Sequence, residues 1–495
     1  MISQALQKAR TYEEAEGNKI TPEQRPLFHL SPRVGWMNDP NGFSRYQGKY
    51  HLFYQYYPYD KKWGPMHWGH AVSSDLLSWE YLPAALAPDI PADSDGCFSG
   101  SAVELDDGRQ LLIYTGVVTV GEWQGNEKPL YQSQCVAVGD GINYEKIEGN
   151  PVLNQNDTPD GSNGYDFRDP KIWRDKDGLY HLVTVDCTRD RRGRILYYTS
   201  KDGFEWDFIS ILAENDGSCG RMWECPDVFE LDGKTVILVS PMEMFGTDEF
   251  LSGNSTLCMI GRIEPETHKF HMESNQTIDC GFDFYATQTL LHEDGRRIMT
   301  AWMQNWDTIV FTGEDLPWIG QTVLPRELFL KNGRLYQKPI RELADLRNGQ
   351  VVYRHTVINK RTNLIGIQGR TVEMILEIEP ETPGNLDMFE VRFAEKGGVY
   401  TSLIYRPSEH TLEFDRSHSG TRRNAAHIRK TRILDPAEKL KLHIILDRYS
   451  CEVFINDGMQ VMSNVFYTYL EADGISFNAH GNAVINLEKY GLSKD

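Results

Sequence analysis

The chain has no long hydrophobic run. An apolar stretch such as "QLLIYTGVVTVG" (110–121) is too short to cross a bilayer and contains glycine. The N-terminal "MISQALQKARTYEEAEGNKI" is charged and lacks an apolar segment, so it does not read as a secretory signal. Positive charge is scarce: 51 Lys and Arg face 71 Asp and Glu, a formal net charge of −20. Such a surface repels nucleic acid and anionic membrane. Two local basic runs, "TRDRRGR" (188–194) and "RRNAAHIRKTR" (422–432), read as solvated loops or hairpins. The first is a phosphate site only if its loop reaches a substrate mouth. The eight cysteines form no CxxC pair and no metal-ligand spacing. Without an export signal they read as free thiols of a cytoplasmic protein, and Cys97 and Cys225 read as packing residues.

What is present is length, aromatics and repetition. A chain of 495 residues exceeds one typical core, so two domains are expected. Aromatic content of 11% fits a β-rich core and equally fits surfaces that cover sugar rings. Five segments share one pattern of polar motif, apolar strand, tight turn and second apolar strand: 38–57, 99–116, 167–186, 224–242 and 284–303. Their turn glycines are Gly48, Gly108, Gly178, Gly233 and Gly295, and in four of the five the turn is Asp-Gly, a strong hairpin signal. A second echo, "SSDLLSWEYLP", "GDGINYEKIEG" and "SKDGFEWDFIS", adds further strands to the first three units. Four strands per unit, repeated five times, predict an all-β fold: a five-bladed β-propeller over 27–338 after an N-terminal extension, 1–26. "KPIRELADLRNG" predicts a short linker helix ending at Gly349, so 339–349 joins the domains. The alternating strands of 350–495 predict an antiparallel β-sandwich. Strand edges there leave a homo-oligomer open.

The acidic residues fall on the repeat. A blade's first strand lines the central channel, so polar residues at matching blade starts converge. Asp39, Asp169, Glu224 and Asp283 sit there, while the second blade presents "FSGS", Phe98 to Ser101. Carboxylates crowded into one funnel repel, and their pKa values must split. That is what glycoside hydrolysis requires: an ionised nucleophile and a protonated acid. Asp39, in the turn "NDPNG" rich in amides and N–H donors, is expected to stay ionised. Glu224, flanked by Trp223, Cys225 and Pro226, is expected to keep its proton. Asp169 follows Arg168 and should remain charged, placed to hold sugar hydroxyls. Any one of these motifs alone is only a turn; their common phase carries the reading. A Ca²⁺ or Mg²⁺ site on these acids lacks EF-hand spacing, and His67 and His70 of "HWGH" lack partners for zinc and read as structural. No metal and no cofactor are expected.

With these motifs in view, the sequence resembles family 32 of the glycoside hydrolases, the β-fructofuranosidases. The resemblance covers nearly everything past residue 25. It rests on "WMNDPNG" (36–42), "GPMHWGHAVSSDLLSW" (64–79), "FSGSA" (98–102), "FRDPK" (167–171), "ECPD" (224–227), "DFYA" (283–286), "LPREL" (324–328) and "CEVFINDG" (451–458), in that order. It implies a retaining mechanism in which Asp39 attacks the anomeric carbon of fructose, Glu224 protonates the leaving oxygen and then activates water, and Asp169 stabilises the transition state. It implies a fructose pocket shaped by Asn38, Gln55, Trp63, Phe98, Ser99, Arg168, Asp283, Tyr285 and Trp302. Gln55, Trp63 and Trp302 rest on the resemblance alone. The expected substrates are small sugars: sucrose, sucrose 6-phosphate or short fructo-oligosaccharides. Cys97 and the Met222–Trp223 pair are expected at the mouth, on the leaving-group side. Fructosyl transfer through the same intermediate, and a non-catalytic sugar-binding propeller, are the alternatives.

Overall fold

The computed structural model describes residues 2–121, 130–247, 250–313, 315–436 and 439–494. The hairpin glycines turn the chain as the repeat requires. Gly48, Gly108, Gly178, Gly233 and Gly295 all adopt φ between 77° and 90°, a region that side chains other than Gly rarely enter. Each joins the first and second strands of an antiparallel sheet. Five such sheets follow one another along 35–339: four are four-stranded, and the first gains a fifth, two-residue strand. Their leading strands are β1 (Gly35–Tyr46), β2 (Gly96–Glu104), β3 (Ser162–Arg174), β4 (Trp223–Leu231) and β5 (Tyr285–Leu291). These five touch in a closed ring, β5 returning to β1. The extra strand, Trp318–Ile319, leaves the loop within the fifth sheet and pairs parallel to Gly35–Trp36. The arrangement is a β-propeller.

Residues 347–492 form a six-stranded and a five-stranded sheet packed over one apolar core, a β-sandwich. It docks on the propeller through a buried ionic seam. Arg326 of the fifth sheet, fully buried, reaches Asp279 at 3.1 Å and Glu452 of the sandwich at 2.6 Å. His29 bonds Asp447 at 2.8 Å and Glu452 at 2.9 Å.

Local expectations differ from this in two places. "NDPNG" is no turn: it lies within the continuous strand β1, which carries two register shifts. The linker holds a 3₁₀ helix, Arg341–Leu346, and a strand already begins at Arg347, so Gly349 lies in a strand rather than at a helix end. The N-terminal extension holds helix α1 (Gln4–Gly17), which docks on the first sheet through Glu13, whose Oε1 accepts the Ala84 N–H at 2.8 Å. Among the described residues no helix is long and apolar enough to cross a membrane.

Candidate active site

Every leading strand carries one extra residue at the same height. Opposite two residues of the partner strand, β1 runs from Met37 to Pro40, β3 from Arg168 to Lys171, β4 from Glu224 to Asp227 and β5 from Tyr285 to Gln288. In β2 the shift falls between Phe98 and Gly100. Such bulges re-aim side chains and interrupt the ladder. Three of them hold a non-glycine residue in the left-handed region: Asp169, Cys225 and Ala286, at φ of 59°, 49° and 55°. Each residue of this kind costs on the order of 1 kcal/mol or more. The N–H groups released from the ladder are taken by the preceding sheet. Asp169 N donates to Thr115 Oγ1, Cys225 N to Asp169 Oδ2 and Ala286 N to Ser240 Oγ, all at 2.9–3.0 Å.

The acids therefore share a bulge but not a position in it. Glu224 is the first residue of its bulge, Asp169 the second and Asp39 the third. Ser99 Oγ donates to Asp39 Oδ2 at 2.8 Å, and the Cys225 thiol lies 3.7 Å from the same oxygen. Asp39 Oδ1 is buried and, among the described residues, makes no hydrogen bond of good geometry. Trp36 Nε1 fixes the neighbouring Asn38 through its Oδ1 at 2.7 Å. Glu224 Oε1 lies 3.2 Å from Arg168 Nη2, and the Tyr285 hydroxyl donates to Oε2 at 2.7 Å. Arg168 is itself gripped by Asp166 at 2.6 Å and by Gln132 at 3.3 Å.

The electrostatics depart from the sequence expectation. Burial pushes Asp39 up to about 6, with repulsion from Glu224 adding to it; hydrogen bonds from Ser99, Asn38 and Cys225 offset only part. Burial also pushes Asp169 up to about 7, although Arg168 opposes the shift. Adjacent amides and an adjacent arginine are thus outweighed by desolvation, which a linear motif does not display. The apolar neighbours foreseen for Glu224 are not its surroundings: Trp223 turns into the core, its Nε1 donating to Cys219 O at 2.9 Å, and Glu224 instead meets Arg168 and Tyr285.

Of the expected site residues, Asp39, Asp169, Glu224, Asn38, Ser99, Arg168 and Tyr285 form this one network. Phe98 meets the half-exposed Trp63 edge to face at 5.8 Å on the rim. Gln55 lies just beneath, donating to Cys97 O at 3.1 Å. Trp302 is fully buried behind Trp36 and Trp306, at 6.2 and 5.2 Å. Asp283 is placed elsewhere: fully buried, it pairs with Arg416 at 2.8 Å and accepts the Val465 N–H at 2.9 Å, so it belongs to the seam with the sandwich. It precedes the fifth bulge by two residues and so misses the funnel. Cys225 is more than packing, since its thiol reaches both aspartates. Cys97 is buried beneath the mouth, its thiol 3.6 Å from Asp93 Oδ2. His67 and His70 are buried in the first sheet, where His70 stacks on Phe53 at 4.1 Å.

Beside Arg168 opens a cleft of 740 Å³ whose lining includes Arg189, Arg191, Arg221, Met222 and Glu243. The basic run 188–194 therefore lines this cleft through two of its arginines. Arg192 pairs with Asp190 and Glu214, and Arg194 is buried against Asp186, so neither belongs to this lining. Arg221, Asp166 and Gln132 were missed in the sequence, where nothing marks them.

Comparison with known proteins decides the family. The family model "Glycosyl hydrolases family 32 N-terminal domain" matches residues 29–339, and "Glycosyl hydrolases family 32 C terminal" matches 342–490. The chain belongs to glycoside hydrolase family 32. It is 36% identical to raffinose invertase of Escherichia coli over 93% of each chain. It is 34% identical to a sucrose-6-phosphate hydrolase of Zymomonas mobilis over 99% of this chain and 96% of that one. A solved Bombyx mori GH32 β-fructofuranosidase superposes with a TM-score of 0.83 at 36% identity, covering 99% of this chain and 98% of the other. A variant of that enzyme was solved in complex with sucrose. This family 32 member is a glycoside hydrolase of the β-fructofuranosidase type.

Proposed function

We propose that the enzyme hydrolyses the fructosyl bond of sucrose-type sugars through a covalent fructosyl-enzyme. Asp39 attacks the anomeric carbon, its carboxylate oriented by Ser99 and Cys225 at Oδ2. Glu224 delivers a proton to the departing oxygen, then takes one from the water that releases fructose. Tyr285 and Arg168 hold the Glu224 carboxyl in line. Asp169, tethered by the Cys225 N–H, meets hydroxyls of the flattening fructosyl ring. The observation that carries this reading is one network that holds Asp39 through Ser99 and Glu224 through Arg168 and Tyr285. The direct test is fructose release from sucrose by wild type, Asp39→Asn and Glu224→Gln. Full activity in the Asp39 variant would overturn the assignment.

The arginines of the adjacent cleft favour phosphorylated sucrose among the substrates. Arg189, Arg191 and Arg221 line the cleft beside Arg168, which bonds Glu224, in a chain of net charge −20, and a phosphomonoester is what such a cluster holds. Glu243, 3.2 Å from Arg221, tempers the charge of the cluster. Arg189→Ala with Arg221→Ala should raise KM for sucrose 6-phosphate and leave that for sucrose within a factor of about two. Equal effects on both sugars would remove the phosphate reading. We place the enzyme in the cytoplasm, a reading supported by eight free cysteines.

A further inference from the structure

The trailing residues of "FRDPK" and "ECPD" have no part in the chemistry above, yet the structure brings them together. Lys171 and Asp227 each resume the ladder just after a bulge, one on β3 and one on β4. Both are buried, and Lys171 Nζ lies 3.0 Å from Asp227 Oδ2. The same ammonium donates to Gln288 Oε1 at 3.1 Å and to Thr289 O at 2.8 Å on β5. Asp227 Oδ2 accepts the Thr289 N–H at 2.7 Å. Gln288 Nε2 reaches across to Gly100 O at 3.4 Å on β2, and Gly100 N donates to Asn41 Oδ1 of β1 at 3.2 Å. Ser101 of β2 closes the remaining gap: its Oγ donates to Pro170 O at 2.7 Å and accepts the Ile172 N–H at 2.8 Å.

All five leading strands are thus tied by side chains at one level, directly below the acids. The tie is needed because, among the described residues, sheet ladders link blades only through the two-residue strand Trp318–Ile319, which joins the fifth to the first. Within each blade the ladder is broken at the height of the acids. The position of Asp169 relative to Glu224 is set by how β3 sits against β4, and that of Asp39 by how β1 sits against both. A buried, geometrically demanding ion pair seldom adds stability over an apolar pair of the same volume. What it supplies is a fixed separation.

We propose that Lys171, Asp227 and Gln288 are positioning residues: their belt of bonds across the channel sets the spacing of the three acids above it. The belt touches no substrate, so its loss appears in turnover and not in binding. The proposal rests on the assignment of Asp39, Asp169 and Glu224 as the acting acids.

The experiment is steady-state hydrolysis of sucrose by Lys171→Met, Asp227→Asn and Gln288→Met, each checked for folding by circular dichroism and thermal melting. Gln288→Met is the mildest, since it leaves no charge buried alone and keeps the volume. For the folded variants kcat is expected to fall by about 10- to 100-fold, the range for small misplacements of reacting groups, with KM changed by less than about threefold. A folded Gln288→Met and a folded Asp227→Asn that both turn over within twofold of wild type overturn the proposal, even if their melting temperatures drop. So does a loss confined to KM. Glu224→Gln in the same assay separates the two levels: if it keeps full activity, the assignment of the acids has failed, whatever the belt variants do.

Discussion

Arg168 Nη2 lies 3.2 Å from Glu224 Oε1, and its Nε lies 4.0 Å from Asp169 Oδ2. One guanidinium thus serves two acids with different tasks. It orients Glu224 and opposes the burial that raises Asp169. Replacement by Gln keeps hydrogen-bonding capacity but removes the charge. Asp169 must then rise further, so the acidic limb of kcat/KM for sucrose should move to higher pH. The value at the optimum should fall roughly 100-fold or more, as for other lost proton-transfer alignments. Lysine would not rescue it, because a point charge cannot grip Asp166 and Glu224 together. An unmoved acidic limb in Arg168→Gln would show that the arginine does not control Asp169.

Ser99 offers a subtler test of the nucleophile. Its hydroxyl gives Asp39 a charge-assisted bond at 2.8 Å and helps hold the Asp39 pKa down against burial. Ser99→Ala should cost about 10-fold in kcat/KM, the worth of one hydrogen bond to a charged group. It should also shift the acidic limb upward. The same variant should fold normally, since the oxygen that loses its partner keeps the Cys225 thiol at 3.7 Å. A profile superimposable on wild type would remove Ser99 from the machinery.

Much of this was legible in the sequence because the repeat is written in backbone chemistry. Asp-Gly turns fixed the hairpins, and the common phase of "NDPNG", "FRDPK" and "ECPD" brought three acids to one end of the channel. The bulges were not legible. A proline inside "NDPNG" looks like a turn, and only the pairing of β1 with its neighbour reveals one extra residue in a strand. For the same reason Asp283 was misplaced: its distance from the previous acid fits the repeat, but two residues of offset carry it past the bulge into the seam. Desolvation is a property of what surrounds a carboxylate in three dimensions, so the direction of the Asp39 and Asp169 shifts could not be read from their chain neighbours. Long-range partners such as Arg416 for Asp283, or Lys171 for Asp227, have no local signature.

The seam between propeller and sandwich makes its own prediction. Glu452 is shared by Arg326 at 2.6 Å and His29 at 2.9 Å, with all three side chains buried. Removing one charge strands the others in low dielectric, so Glu452→Gln should cost about 3–5 kcal/mol of unfolding free energy. Burial opposes protonation of His29, but Asp447 and Glu452 more than offset it, and its pKa rises to about 9. A raised histidine stabilises the fold fully below its unfolded value of about 6.5, and the contribution is lost as pH rises through the folded value. Wild type should therefore lose stability between about pH 7 and pH 9.5, and His29→Gln should flatten that slope. Chemical denaturation across this range measures both. A His29→Gln curve parallel to wild type would mean the ring is not charged in the seam.

Asp39 should make the reverse contribution. Its folded pKa of about 6 lies above the ordinary aspartate value of 3.8. The folded state therefore holds its proton more tightly than the unfolded chain, and stability falls as pH rises from about 4 through 6. Above that the penalty is complete. A shift of about two units corresponds to roughly 3 kcal/mol, and partial access of the carboxylate to the funnel reduces it toward about 2. Asp39→Asn keeps the shape and an acceptor for Ser99 while removing the charge. It should abolish sucrose hydrolysis and yet be more stable than wild type by about 2–3 kcal/mol at pH 8, with the gain vanishing near pH 4. Paired denaturation curves at these two pH values decide it. An inactive variant that is no more stable at pH 8 would mean that the fold bears no cost for keeping its nucleophile ionised there.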